Sequence, residues 1–119
     1  MSDRPQPVVK KVRPYPFDAV LDQNNQKTPV EVIFLSPLGV IVRLKSQIVH
    51  VGEFYKIIFG IPVINASVET QVRVIKTTDK SLDTKPTLVD RVAELHFQAL
   101  TPAEKMAIAE FVHAIGQEQ

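Results

Sequence analysis

The chain has 119 residues, 45% of them hydrophobic and 23% charged, which suffices for one globular domain with a real core and not for two. Fourteen basic and thirteen acidic residues leave a net charge of +1, too little for a broad field that would steer the chain onto nucleic acid. The absence of cysteine excludes disulfides, thiolate metal sites and a thiol nucleophile.

The charge is unevenly placed. Residues 1–16 hold Arg4, Lys10, Lys11 and Arg13 against Asp3, so this stretch carries +3 and the remainder −2. Pro5, Pro7, Pro14 and Pro16 remove backbone donors and bias their predecessors toward extended geometry. Residues 1–14 therefore read as a flexible or extended arm ahead of a domain spanning 15–119. As a charge run, the arm is either a solvated tail or an anion-contacting element. It lacks the apolar core of a signal peptide, and no stretch of the chain has the length of a membrane span, so the expected location is cytoplasmic without membrane insertion.

The first strand is expected over Tyr15 to Asp22, where Phe17, Ala19 and Leu21 alternate with Asp18, Val20 and Asp22. A polar turn follows at residues 23–27. From Thr28 to Leu44, two runs rich in β-branched residues flank Ser36-Pro37-Leu38-Gly39, the pattern of a hairpin. Pro37 has the φ of a turn's second position, and Gly39 is expected to take the positive φ that closing a turn often demands. In the second arm Val40, Val42 and Leu44 share one face and Ile41, Arg43 and Lys45 the other.

Residues 46–52 form a connector whose Ile48, Val49 and Val51 suggest that part of it tucks under the sheet. The next strand, Glu53 to Ile61, directs Tyr55, Ile57, Phe59 and Ile61 one way and Phe54, Lys56, Ile58 and Gly60 the other, and Pro62 ends it. The cleanest alternation runs from Ala66 to Lys76, with Val68, Thr70, Val72 and Val74 inward. Residues 77–87, polar and containing Pro86, read as a surface excursion before a last strand from Val89 to Ala99.

Thr101-Pro102-Ala103-Glu104 is a capping box that opens a helix, with proline where its missing N–H costs nothing. Such a cap is worth about 1 kcal/mol. Ile108, Phe111, Val112 and Ile115 recur at helical spacing, and Gly116 is placed to end the helix. A helix this short is stable mainly through packing, so its stripe covers either the sheet or a partner helix. Six short strands followed by one helix make the expected fold mainly β, a small six-stranded antiparallel barrel with a C-terminal helix.

Catalytic signatures are missing. His50, His96 and His113 have no metal-ligand spacing, no GxSxG elbow occurs, and the glycines at 39, 52, 60 and 116 cannot form a phosphate-binding loop. No catalytic or metal-binding residue is assigned, and the chain is not expected to be an enzyme. A nucleic-acid-binding barrel would need a basic face with interleaved aromatics, which the sequence does not assemble.

Over residues 10–116 these features resemble the PilZ domain, a bacterial barrel family that binds cyclic di-GMP or, in divergent members, other proteins. Leu35-Ser36-Pro37-Leu38-Gly39 resembles the second half of the family's [D/N]xSxxG motif. Val51-Gly52-Glu53, the strand ending Gly60-Ile61-Pro62, Glu94-Leu95-His96-Phe97 and the capped helix follow in the family's order. Two departures bear on the ligand. Phe34 stands where ligand-binding members have Asp or Asn, and Lys10-Lys11-Val12-Arg13-Pro14 stands where their RxxxR pair grips phosphate and stacks on guanine. Lysine lacks the planar fork that does both.

Each lost charge-assisted hydrogen bond costs about 1.5–3 kcal/mol, so two losses weaken the nucleotide roughly a hundredfold or more. Lys10, Lys11, Arg13, Ser36 and Gly39 are thus a nucleotide-binding remnant, fit at most for weak cyclic di-GMP binding, and no cofactor is expected. If Ile33 and Leu35 point inward, Val30, Val32 and Phe34 line the outer face on which the family presents its ligand, joined by Ile41, Phe54 and Ile58. Phe34 is then either an ordinary strand aromatic or the centre of a protein-docking patch. The resemblance implies an adaptor that binds a protein partner in bacterial signalling or motility, the alternative being a cyclic di-GMP receptor that uses the basic arm.

Overall fold

The computed structural model describes residues 15–45, 49–82 and 85–116; the expected arm of residues 1–14, with Lys10, Lys11 and Arg13, lies outside them. Six strands run in the order β1 (Phe17–Gln23), β2 (Gln26–Leu35), β3 (Gly39–Leu44), β4 (Phe54–Ile61), β5 (Ala66–Leu82) and β6 (Lys85–Phe97), before helix α1 (Pro102–Ala114). All pairings are antiparallel, and the sheet closes on itself in the spatial order β1-β2-β3-β6-β5-β4.

Alternation explains most of the packing. Ala19 and Leu21 of β1, Val40, Val42 and Leu44 of β3, Tyr55, Ile57, Phe59 and Ile61 of β4, and Val68, Thr70, Val72 and Val74 of β5 are all buried, as their period of two requires. The expected polar turn after β1 is a two-residue connection, Asn24-Asn25, with both residues at positive φ. That is the geometry of a primed turn, whose twist matches the flanking strands. In the β3–β4 connector Val49 is buried and Val51 is 61% exposed.

The β2–β3 hairpin is organised differently from its sequence pattern. Ser36 and Gly39 exchange backbone hydrogen bonds of 2.9 and 3.2 Å around Pro37-Leu38. Proline's negative φ rules out the primed turns here. Val32 pairs with Val42 and Phe34 with Ile41, so Ile33 is an extra residue, a β-bulge that increases local twist. The bulge resets the alternation: Val30, Val32 and Leu35 are wholly buried, while Phe34 faces outward. The expected outward placement of Val30 and Val32 is therefore corrected, because a one-residue insertion swaps the faces on either side of it.

Gly39 is also corrected. It is not among the positive-φ residues, which include Gly52 and Gly116. A Cβ on Gly39 would lie 2.1 Å from the Leu95 carbonyl oxygen, so glycine is needed here for the close approach of β3 to β6.

Residues 77–82 and 85–87, expected as an irregular excursion, belong to strands. β5 and β6 continue past the barrel as a paired ribbon, with Thr77 opposite Ala93 and Lys80 opposite Asp90. Residues 76–79 are exposed, so no apolar alternation announces the strand. Ladder pairing with β6 holds it.

The helix starts as its sequence requires. Thr101 Oγ1 accepts from the Glu104 amide at 3.1 Å, and Glu104 Oε1 accepts from the Thr101 amide at 3.0 Å. Oε2 of the same carboxylate accepts from the Glu69 amide of β5, tying the helix start to the barrel. Ile108 and Phe111 are fully buried. The Phe111 ring meets Tyr15 edge-on at 5.9 Å and Phe17 at 6.3 Å, and Phe17 meets Phe59 at 5.7 Å, so the apolar stripe closes one end of the barrel. Tyr15, expected as the first residue of β1, precedes that strand and uses its hydroxyl to accept from the Leu35 amide at 3.0 Å.

Gly39→Ala is expected to lower stability by about 2–3 kcal/mol, since the β3–β6 ladder must separate to admit the methyl group. Gly60→Ala, whose Cβ would come no nearer than 3.9 Å to Ala66 O, should change it by less than ~1 kcal/mol. Denaturant unfolding of both variants compares the two.

Candidate functional site

The bulge at Ile33 puts an aromatic ring on the barrel's outer wall beside the Ser36–Gly39 turn. Phe34 is 39% exposed and Leu38 65%. Together with Ser36, Gly39, Val40, Ile41, Glu94 and His96 they line a groove of about 160 Å³ across β2, β3 and β6. The register explains the grouping: Phe34 lies opposite Ile41, Ile41 opposite Glu94, and Gly39 opposite His96. The groove has an apolar floor with one acidic side chain at its rim. Glu94 Oε2 lies 3.0 Å from His96 Nε2, with the carboxylate side chain 42% exposed.

Ser36 works within the turn. Its hydroxyl oxygen accepts from the amides of Leu38 and Gly39 at 3.2 and 3.4 Å and donates to the Gly39 carbonyl at 3.4 Å. Gly39 permits the β3–β6 approach. Both motif residues thus have a duty in the fold, and both also border the groove. The three cations of the expected remnant, Lys10, Lys11 and Arg13, lie outside the described residues.

The six residues expected to form one outer patch do not lie together. Phe34 and Ile41 share the groove. Val30 and Val32 are in the core. Phe54 and Ile58 stand on β4, three strands from β3 in either direction around the closed sheet. Between His96 of the groove and Phe54 the register places Arg73, whose guanidinium lies 5.8 Å from the centre of the Phe54 ring. A cation over a ring face is itself favourable, so Phe54 is engaged locally. Leu38, Glu94 and His96 complete the groove and were not assigned to the patch from sequence. The alternation of Glu94 and His96 about buried Leu95 is the signal that locates the last two on the outer face.

A second, more open depression of about 550 Å³ lies across β1, β4 and β5. Its charged side chains are mutually satisfied: Lys56 Nζ is 2.9 Å from Glu69 Oε2, which holds the lysine pKa above its ordinary value through that hydrogen bond, and Lys27 lies 3.8 Å from Asp22. Among the described residues no group of His, Asp and Glu is arranged to hold a metal ion, and no helix is long and apolar enough to cross a membrane.

This architecture matches solved PilZ domains. The PilZ domain of YcgR from Escherichia coli, solved with c-di-GMP, superposes with a TM-score of 0.72 at 11% identity over 87% of this chain and 83% of that one. YcgR in complex with c-di-GMP gives 0.69 at 11% identity, over 87% of this chain and 42% of that one. The Bacillus subtilis inhibitor of motility, MotI/DgrA, gives 0.69 at 14% identity over 90% and 50%. The chain spans half or less of the length of these last two. No family model and no curated protein matches the sequence. The chain thus has the fold of a PilZ domain.

The facing around the bulge predicts a sharp contrast. Val32→Asp places a charge in the core and should abolish cooperative folding, whereas Phe34→Asp should cost no more than about 1 kcal/mol. Thermal melts followed by circular dichroism distinguish a core Phe34 from an exposed one.

Proposed function

We propose that this chain is a PilZ-like adaptor whose groove at Phe34, Leu38 and Ile41 docks a protein partner in bacterial signalling or motility, with weak or no binding of cyclic di-GMP. The observation that carries the reading is the outward-facing Phe34 ring, set by the Ile33 bulge where ligand-binding relatives of the motif have Asp or Asn. An exposed aromatic between two aliphatic side chains gains by excluding water against an apolar surface, the chemistry of a docking anchor.

Electrostatics favour the same reading. A dinucleotide brings phosphate negative charge, and the groove meets it with the Glu94 carboxylate at its rim. The charge-assisted donors that hold phosphate are bidentate arginines in the best cases. Arg73 is engaged with Phe54 on the far side of His96, and Arg43 lies 3.3 Å from Glu31 Oε1. The YcgR structures contain c-di-GMP, which makes nucleotide binding the reading to be tested against docking. The motility inhibitor with the same fold supports a regulatory setting.

Calorimetric titration of the full chain with cyclic di-GMP should show no binding tighter than about 1 μM. Tighter binding that disappears on changing Lys10, Lys11 and Arg13 would instead establish a receptor. In affinity capture from the native host, partners held by the wild-type chain should be lost with Phe34→Asp while that variant keeps its cooperative melt.

A further inference from the structure

The groove does not end at Leu38. A second hollow of about 200 Å³ lies on the other side of that residue, between the β2–β3 turn and the start of α1, where Pro37, Phe97, Leu100 and Lys105 help to line it. Leu38 is the wall that both hollows share. Its side chain is exposed, yet its backbone is held at both ends: the amide donates to Ser36 Oγ at 3.2 Å and the carbonyl accepts from the Phe97 amide at 3.0 Å. A leucine on a backbone fixed in this way has little conformational freedom left to lose when something packs over it.

The two hollows carry opposite charge. Glu94 stands at the rim of the first; His96 contacts its carboxylate, apolar Ile41 lies opposite it on β3, and Lys76 lies opposite it on β5 with no ion pair between them. Lys105 stands at the rim of the second, exposed and without a carboxylate partner among the described residues. Its neighbour Glu104 spends one oxygen on the Thr101 amide and the other on the Glu69 amide. From Glu94 to Lys105 the way is apolar, over Ile41 and Phe34 before Leu38 and over Pro37, Phe97 and Leu100 after it. Two hollows of this size end to end span roughly 15–20 Å, the reach of about five or six extended residues.

We infer that the docking surface continues over Leu38 from Glu94 to Lys105, and that it takes a partner segment with a basic residue at one end, an acidic residue at the other and apolar side chains between. The inference rests on reading the Phe34 groove as a surface for polypeptide. Exposed charge pairs add little affinity singly, so the apolar contacts hold the segment and the charges select its direction. A segment with the two charges exchanged brings like charges together at both ends and is rejected.

A displayed library of random heptapeptides selected on the full chain should enrich sequences in which a basic and an acidic residue flank two or three apolar ones, in one order. The best of these, made synthetically and followed by fluorescence anisotropy, should bind about tenfold more weakly to Lys105→Glu and to Glu94→Lys. The double variant should prefer, by about tenfold, the same peptide with its charged residues exchanged. Circular dichroism melts check that each variant folds; if Glu94→Lys does not, Glu94→Gln replaces it, with a loss of about threefold expected. Enrichment without a charge order, no enrichment at all, or binding indifferent to Lys105→Glu would overturn the inference. Peptide binding that ignores both charges but is lost with Phe34→Asp overturns it while leaving the adaptor reading in place. Charge-ordered binding that is lost with Leu38→Asp and kept with Phe34→Asp upholds it and removes Phe34 as the anchor of the adaptor reading.

Discussion

Closure of the sheet is the constraint on which the rest of this structure depends. A six-stranded antiparallel sheet left open would expose two edges and half its apolar face, and a domain of this size has no surplus stability to absorb that. The ring closes through two seams, β1 against β4 and β3 against β6. The second brings the Leu95 carbonyl so near to Gly39 that no side chain fits between them. The glycine thus belongs as much to the barrel as to the turn it follows. The seam it permits also sets β6, with Glu94 and His96, beside the hairpin that carries Phe34.

Strand and helix meet at one end through aromatic packing. Tyr15, Phe17, Phe59 and Phe111 form a cluster of stacked, edge and tilted contacts that joins the start of the barrel to the second half of α1. The Glu104 carboxylate serves the helix cap with one oxygen and the β5 backbone with the other. Helix position is therefore specified by directional bonds at its first turn and by burial at its middle. This end of the barrel is also the one beside which the groove opens, so the groove lies next to a firmly packed closure, a rigid base of the kind that precise binding requires.

The same elements separate the chemistry of this outer surface from the fold. The bulge at Ile33 keeps Leu35 inside and Phe34 outside. Position 34 is then free to be acidic, amide or aromatic with little cost to the core, since its side chain faces away from it. Fold and surface chemistry are separable at this residue, and the architecture is shared with structures at 11–14% identity.

Much of the fold could be read from residue order alone. The alternation in β4 and β5, the capping box at Thr101–Glu104 and the Ile108–Phe111 stripe each announce a local geometry, because period and capping chemistry act within a few residues of sequence. Tertiary structure decided the rest. From Val32 to Leu35 every residue is apolar, so no alternation there reveals which one is supernumerary, and only pairing with β3 singles out Ile33. The exposed ribbon of residues 76–79 has no inner face to leave a pattern, and its strand character comes from β6. Phe54 and Ile58 look like partners of Phe34 until ring closure carries β4 to the opposite wall. Side-chain direction along one strand is a local property; which strands become neighbours, and where a register slips, is set by long-range pairing.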